Sequence, residues 1–199
     1  MGSLFKRYGV FQLLSLALNT IITKIFFSKA RLIRLPVDVR GKKFISFNKG
    51  FTTGKGCRFE AYPIDGKSKV LLFGTNIQVN DHVHITAMSS VVLGNNVLIA
   101  SNVYISDSTH GSYAGDAADS DPLSIPKDRL YSVNSVTIGD NVWLGEKVSV
   151  LPGVTIGSGT IVGANAVVTK SLPANVIAVG IPAKPIKKYN FKTQRWEII

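Results

Sequence analysis

Residues 138–168 read IGDNVWLGEKVSVLPGVTIGSGTIVGANAVV, and within them an aliphatic residue returns at every sixth position: Ile138, Leu144, Val150, Ile156, Val162 and Val168. The same step runs upstream through Leu93, Ile99 and Ile105, and earlier through Phe73, Val79 and Ile85. From Ile85 to Leu93 the step is eight, so two extra residues sit in one turn. The residue after each aliphatic is usually small, as at Gly94, Ala100, Ser106, Gly139, Gly145, Gly157 and Gly163. A further small or branched residue follows four places after the aliphatic one, as at Val97, Val103, Val142, Val148, Val154 and Ala166.

A period of six matches neither the 3.6 of a helix nor a hairpin meander, because no return strand of matching turn chemistry appears. It suits a coil with three short flat sides. Each hexapeptide supplies one strand and one corner, with the aliphatic residue inward and the small residue giving the chain room to turn. Stacked coils then pair as parallel strands around one continuous core. The expected fold is all-β dominated, a parallel β-helix. The phase is lost once, between Ile105 and Ile138, in a stretch rich in Ser, Asp, Gly and Pro. Long excursions from a regular scaffold commonly carry function. This one, placed at 106–135, opens Ser106-Asp107-Ser108-Thr109-His110-Gly111.

The chain has 199 residues, 45% of them hydrophobic and 18% charged, a balance that supports a packed core and not disorder. Its net charge of +11 is unevenly placed: residues 1–45 hold nine Lys and Arg against one acid, Asp38. Such a segment suits an anionic membrane, a nucleic acid or an acidic glycan, or else a solvated face. The single cysteine, Cys57, excludes an intramolecular disulfide and a cysteine metal site within one chain, and fits a reducing, cytoplasmic setting. From Tyr8 to Phe27 the sequence is apolar but interrupted, and Gln12, Ser15, Asn19 and Thr23 fall on one stripe of a helix whose remaining face is apolar. The expectation is an amphipathic helix and not a membrane span. Such a helix packs on the domain or on an adjacent subunit, or lies peripherally in a bilayer interface. These readings divide the chain into a basic helix and connector over 1–45, a coil over 46–186 and a tail over 187–199.

Only three histidines are available as bases, His82, His84 and His110. His110 stands where the chain leaves the coil. The runs Ile138-Gly-Asp-Asn-Val-Trp143-Leu-Gly145, Leu151-Pro-Gly-Val-Thr-Ile156-Gly, Val162-Gly-Ala164-Asn-Ala-Val-Val-Thr169-Lys170 and Gly180-Ile-Pro182-Ala-Lys184 resemble the hexapeptide-repeat acyltransferases. Within that superfamily the resemblance to the O-antigen and colanic acid O-acetyltransferases of lipopolysaccharide biosynthesis covers nearly the whole chain. It includes Lys6-Arg-Tyr-Gly, Phe51-Thr-Thr-Gly, Val79-Asn80-Asp-His-Val-His84-Ile, the segment Ile105 to Gly111, and Lys188-Tyr-Asn. The galactoside and maltose acetyltransferases are similar mainly over residues 75 to 186.

The resemblance implies a left-handed winding, against the usual right-handed crossover. It also implies a homotrimer with active sites between subunits, acetyl-CoA as acyl donor and a saccharide acceptor. A sugar hydroxyl is a poor nucleophile until a base removes its proton, and a neutral imidazole, with an ordinary pKa of about 6.5, suits that task. By resemblance His110 is that base, and a backbone N–H at Gly145 or Glu146 would receive the oxyanion. Asn80 matches the position where the galactoside enzymes hold their sugar, although a corner asparagine tolerating an unusual backbone angle is an equal reading. His82 and His84 alternate, so they are expected on opposite sides of a strand, with His84 lining the cleft. Asp107 is expected to orient His110 or the acceptor, unless it caps a turn. The pantetheine arm would lie beside Trp143, Gly145 and Ala164, with Thr169 and Lys170 at the nucleotide end, although the repeat itself also demands small residues at 145 and 164.

Other chemistries fit less well. No Gly-x-Ser-x-Gly elbow is present and Cys57 is far from His110 in sequence, so a covalent acyl-enzyme is disfavoured. The γ-class carbonic anhydrases share the fold type but bind zinc through three histidines, and the spacing 82, 84, 110 lacks their pair; no metal is expected. Aromatic and basic residues intermix at Phe5 to Tyr8 and Phe44 to Phe47 without any nucleic-acid fold, so no nucleic acid is expected. A small-molecule acceptor, such as a free sugar, serine or an antibiotic, and a non-catalytic scaffold remain as alternatives.

Overall fold

Each hexapeptide forms a strand of two to four residues and then a corner, so consecutive strands fall on three successive sides of a coil. The computed structural model describes residues 9–199; Lys6, Arg7 and Tyr8 lie outside them. One side is a six-stranded sheet of Val37–Arg40, Cys57–Ala61, His84–Ala87, Tyr104–Ser106, Ser149–Val150 and Val167–Val168. A five-stranded side carries Leu71–Phe73, Val91–Leu93 and Val136–Ile138 among its strands, and a seven-stranded side carries Gln78–Val79, Leu98–Ile99, Trp143–Leu144 and Ile161–Val162. Neighbouring coils pair in parallel and in register, so that Ile85 stands over Ile105, Ile105 beside Val150, and Val150 beside Val168. These aliphatic positions are fully buried, as the period requires. Towards the N-terminal end the core turns aromatic, with the Phe51 and Phe73 rings 4.6 Å apart and Phe47 stacked 5.5 Å from Phe73.

The corners work differently from the expectation. The glycines that follow the aliphatic residues are not the turning points; they are where successive coils come closest. A Cβ at Gly145 would meet the backbone nitrogen of Ala164 at 2.6 Å. The left-handed backbone falls three places after most of the aliphatic residues, at Asn96, Asn102, Asn141, Lys147 and Asn165 with φ between 56° and 60°, and at Gly153 and Gly159. Asparagine reaches that region at lower cost than other side chains with a Cβ.

The coil also starts earlier than the expected boundary, and the segment beyond its end is ordered. Val37–Arg40 and Ile45–Ser46 already belong to its sides, so the connector is the first coil. Residues 187–199 are not a tail: Lys184–Asn190 and Arg195–Ile198 add two antiparallel strands to the seven-stranded sheet. The helix Val10–Phe26 packs by a mixed face: Asn19 and Thr23 point inward with Leu13, Leu16 and Ile22 half-buried, while Gln12 and Ser15 of the expected stripe are exposed. Asn19 and Thr23 are buried; the Thr23 hydroxyl oxygen accepts the Ile33 N–H at 2.8 Å, and Asn19 Oδ1 accepts the Leu35 N–H at 3.3 Å. Val10, Leu14, Leu18, Ile21 and Ile25 are turned outward.

Candidate active site

Outward residues of the six-stranded side form a wall, because alternation along each strand buries Cys57, Phe59, Ile85 and Ile105 and turns their neighbours out. Register places Arg58 beside His84 and His84 beside Tyr104, then Glu60 beside Thr86 and Thr86 beside Ser106. The excursion leaves this side after Ser106 and returns along it as an antiparallel ribbon of Ser108–His110 and Tyr131–Val133. Between wall and ribbon lies a cleft of about 420 Å³ lined by Arg58, Glu60, Thr86, Tyr104, His110 and Tyr131, among others.

His110 ends its ribbon strand opposite Tyr131, with the two ring centroids 4.5 Å apart. Its backbone is held from behind: the Tyr113 hydroxyl donates to the His110 carbonyl at 2.6 Å, and Arg129 Nη1 donates to the Tyr113 oxygen at 2.7 Å. Arg129 also binds the Ser124 hydroxyl and the Ser124 and Pro122 carbonyls at 2.9, 2.9 and 3.2 Å, tying the excursion to itself. An exposed imidazole is thus presented to a cleft on a braced backbone.

Asp107 has a different place from the one expected. It is fully buried, and its carboxylate accepts the backbone N–H groups of Met88, Ser89 and Ser90 at 2.7–3.1 Å. Those residues are the corner that contains the two extra residues between Ile85 and Leu93. Turn capping therefore replaces the expected contact with the acceptor: Asp107 locks the long corner and, through its carbonyl, which accepts Asn134 N–H at 2.8 Å, closes the base of the excursion.

The wall holds a cluster that the sequence reading missed. Glu60 is only 5% exposed and receives Arg58 at 2.7 Å, His84 Nε2 at 2.8 Å, Arg40 at 3.1 Å and the Tyr62 hydroxyl at 3.2 Å. Burial pushes the Glu60 carboxyl up, but the hydrogen bonds from Arg58, His84 and Tyr62 and the Arg58 charge outweigh it and hold the group below the usual carboxylate range. His84 is therefore engaged with Glu60 on the wall, beside the cleft. His82 is not on the opposite side of its strand; it occupies a left-handed corner with φ 57°. The six-residue step could not have reached Glu60: Ile85 pairs with Phe59 across 26 positions and not 18, so Glu60 lies outside the periodic phase.

The remaining predicted residues lie along another edge. Asn80 N–H bonds Ile99 O, Ala100 N–H bonds Leu144 O and Gly145 N–H bonds Val162 O, at 2.8–2.9 Å, so Asn80, Ala100, Gly145 and Gly163 form one column. That corner precedes the strands of the wall, whereas His110 follows their far ends; a four-residue strand alone separates the two edges by about 13 Å. Trp143, 47% exposed, Glu146 and Ala164 flank the same column. Thr169 and Lys170 are exposed just past Val168, on the His110 edge but two strands further along the stack. One chain therefore does not bring His110 together with the predicted donor-binding column. Of the two proposed oxyanion donors, the Gly145 N–H is occupied by Val162 O at 2.8 Å, which leaves Glu146. Cys57 is buried and its thiol donates to Asn80 O at 3.0 Å; burial pushes its pKa up, away from a thiolate nucleophile.

Comparison with known proteins agrees with the coil. Residues 135–170 match the family model described as bacterial transferase hexapeptide (six repeats). Over 194 residues the chain is 44% identical to an Escherichia coli (strain K12) protein provisionally named lipopolysaccharide biosynthesis O-acetyl transferase WbbJ, spanning 98% of this chain and 97% of that one. A galactoside acetyltransferase solved in complex with coenzyme A is 29% identical, with a TM-score of 0.53 over 74% of this chain and 69% of its own. An N-acyltransferase from Bacillus cereus superposes with a TM-score of 0.67 over 83% of this chain and 82% of its own; at 20% identity it speaks for the fold alone. The chain belongs to the hexapeptide-repeat acyltransferases, the acetyltransferases built on a left-handed parallel β-helix.

Proposed function

We propose that this acetyltransferase moves an acetyl group from acetyl-CoA to a sugar hydroxyl of a bacterial surface polysaccharide or its precursor, with His110 as general base. The observation that carries this reading is the braced imidazole of His110 at a cleft lined by hydroxyls and aromatic rings. Such a lining suits a saccharide, whose hydroxyls need partners that both donate and accept. His110 takes the proton while the acceptor oxygen attacks the thioester carbonyl. The tetrahedral intermediate collapses by breaking the C–S bond, and the CoA sulfur leaves with the proton returned from the imidazole. The Glu146 N–H is the donor proposed for the oxyanion.

Coenzyme A in the related galactoside enzyme supports the choice of donor, and the lipopolysaccharide name of the full-length relative supports the choice of acceptor. Because His110 and the column of Asn80, Trp143, Gly145, Glu146 and Ala164 lie on different edges of one chain, the complete site is assembled between neighbouring copies, in a homotrimer. There Asn80 would meet the sugar, and Lys170 a phosphate of the nucleotide. We place the reaction in the cytoplasm, where a lone thiol such as Cys57 stays reduced.

The test is CoA release from acetyl-CoA in the presence of nucleotide sugars and oligosaccharides, comparing wild type with His110→Ala. Acceptor-dependent turnover should fall by about 10² to 10⁴ in the variant at unchanged thermal stability. Turnover that survives would move the base elsewhere, first to His84. Turnover with serine or a free sugar alone would point to a small-molecule acceptor.

A further inference from the structure

The helix Val10–Phe26 leaves most of its large apolar side chains in the open. An amphipathic helix on a soluble domain ordinarily buries its apolar stripe. Here the two fully buried residues are Asn19 and Thr23, held by backbone N–H groups of the first coil, with only Leu13, Leu16 and Ile22 half-buried beside them. Val10, Leu14, Leu18, Ile21 and Ile25 recur at three- and four-residue steps on the opposite face, with Phe11 and Phe26 beside them, and all seven are 55–88% exposed. A contiguous apolar face of that kind marks an interaction surface.

Its surroundings identify the occupant. One groove of about 320 Å³ beside the helix combines Phe11 and Leu16 with Arg34 and Lys55. A second, of about 200 Å³ at the other end, combines Phe26 and Phe27 with Lys29, Lys42 and Lys69. Neither groove is lined by a carboxylate among the described residues. Residues 9–45 carry Lys24, Lys29, Arg31, Arg34, Arg40, Lys42 and Lys43 against Asp38 alone. A second copy of the chain would set this positive surface against itself. An anionic bilayer would complement it, taking the apolar face among acyl chains and the cations among phosphates. Among the described residues no helix is long and apolar enough to cross a membrane, so the helix would lie in the plane of the interface.

We infer that this helix and its two basic grooves dock the enzyme onto the surface of an anionic phospholipid bilayer. The inference is independent of the acetyl-transfer reading, since binding to lipid needs no substrate.

The experiment is flotation of the full chain with phosphatidylcholine vesicles, with and without about a third phosphatidylglycerol. Wild type should float with the anionic vesicles only. Leu14→Ser, Leu18→Ser and Ile21→Ser together should abolish flotation while leaving the oligomer mass unchanged. Lys29→Gln, Lys55→Gln and Lys69→Gln together leave the helix untouched and should weaken binding by about a hundredfold, roughly fivefold per cation removed. Failure of the wild type to float would overturn the inference. So would a change of oligomer mass in the serine variant, which would assign the apolar face to contact between copies.

Discussion

The coil over residues 136–168 and the excursion over 107–135 are neighbours in sequence built on opposite principles. In the coil, every strand makes the same parallel ladder and every aliphatic residue meets its counterparts above and below, so the structure is distributed over equivalent positions. In the excursion, order rests on a few side chains: Asp107 at its base, Arg129 and Tyr113 across it, Tyr131 beside His110. A repeating region has no privileged residue, whereas an aperiodic one concentrates its order, and the candidate base, in a handful. Perturbing each kind of contact tests that contrast.

The largest expected effect is in the coil. Leu144 is fully buried and paired with Ile99 and Val162 on either side. Leu144→Ala should cost about 2–5 kcal/mol in urea denaturation, with one cooperative transition retained. A second transition, with the N-terminal coils surviving alone, would show that the stack divides. Next comes Asp107→Ala, which strips the buried acceptor from the three N–H groups of the long corner. About 2–3 kcal/mol should be lost, together with most of the acetyl transfer, because the same residue closes the excursion that presents His110. A loss under about 1 kcal/mol would mean that water replaces the carboxylate.

The contrast also sets what could be read without a structure. The fold was legible because a six-residue step declares itself over many repeats, and Ile85, Ile105, Val150 and Val168 do stack as that step requires. Where the coil begins was not, since Val37–Arg40 and Ile45–Ser46 line its sides without the later periodicity. That His110 would stand at a cleft was legible from its place at the break. Glu60 was not, because its neighbours Arg58, His84 and Arg40 come from three different strands and meet only through register. Asp107 was visible as a residue but not as a cap, since the N–H groups it serves lie about twenty positions upstream. The orientation of the helix escaped for a related reason: its pattern shows two faces, and which one is buried depends on whether the coil offers N–H groups or apolar surface.

Arg129 should give a smaller effect, and one confined to the excursion. Arg129→Gln removes the donor to Tyr113 and the fork to Ser124 and Pro122 while leaving the coil ladder intact. Local order should fall, with kcat down by about tenfold and the melting temperature within about 2 °C of wild type. Loss of stability on the scale of Leu144→Ala would break the contrast by showing that the excursion supports the coil.

The smallest expected effect returns to the coil, at a position that departs from its own rule. Lys147 has φ 56° in the column that also holds Asn102 and Asn165, both near 60°. Lysine gains nothing locally from that backbone region, whereas an asparagine side chain can hydrogen-bond its own turn there. Lys147→Asn should therefore raise stability by about 0.5–1 kcal/mol in thermal unfolding. Strained residues persist where function requires them, and Lys147 follows Glu146 on the edge proposed to bind the acyl donor. A gain in stability with an unchanged KM for acetyl-CoA would make the lysine a tolerated exception within the coil. A gain accompanied by a raised KM would place its ammonium against the donor's phosphates, and no gain at all would mean that lysine makes a stabilising contact equal to what asparagine offers the backbone.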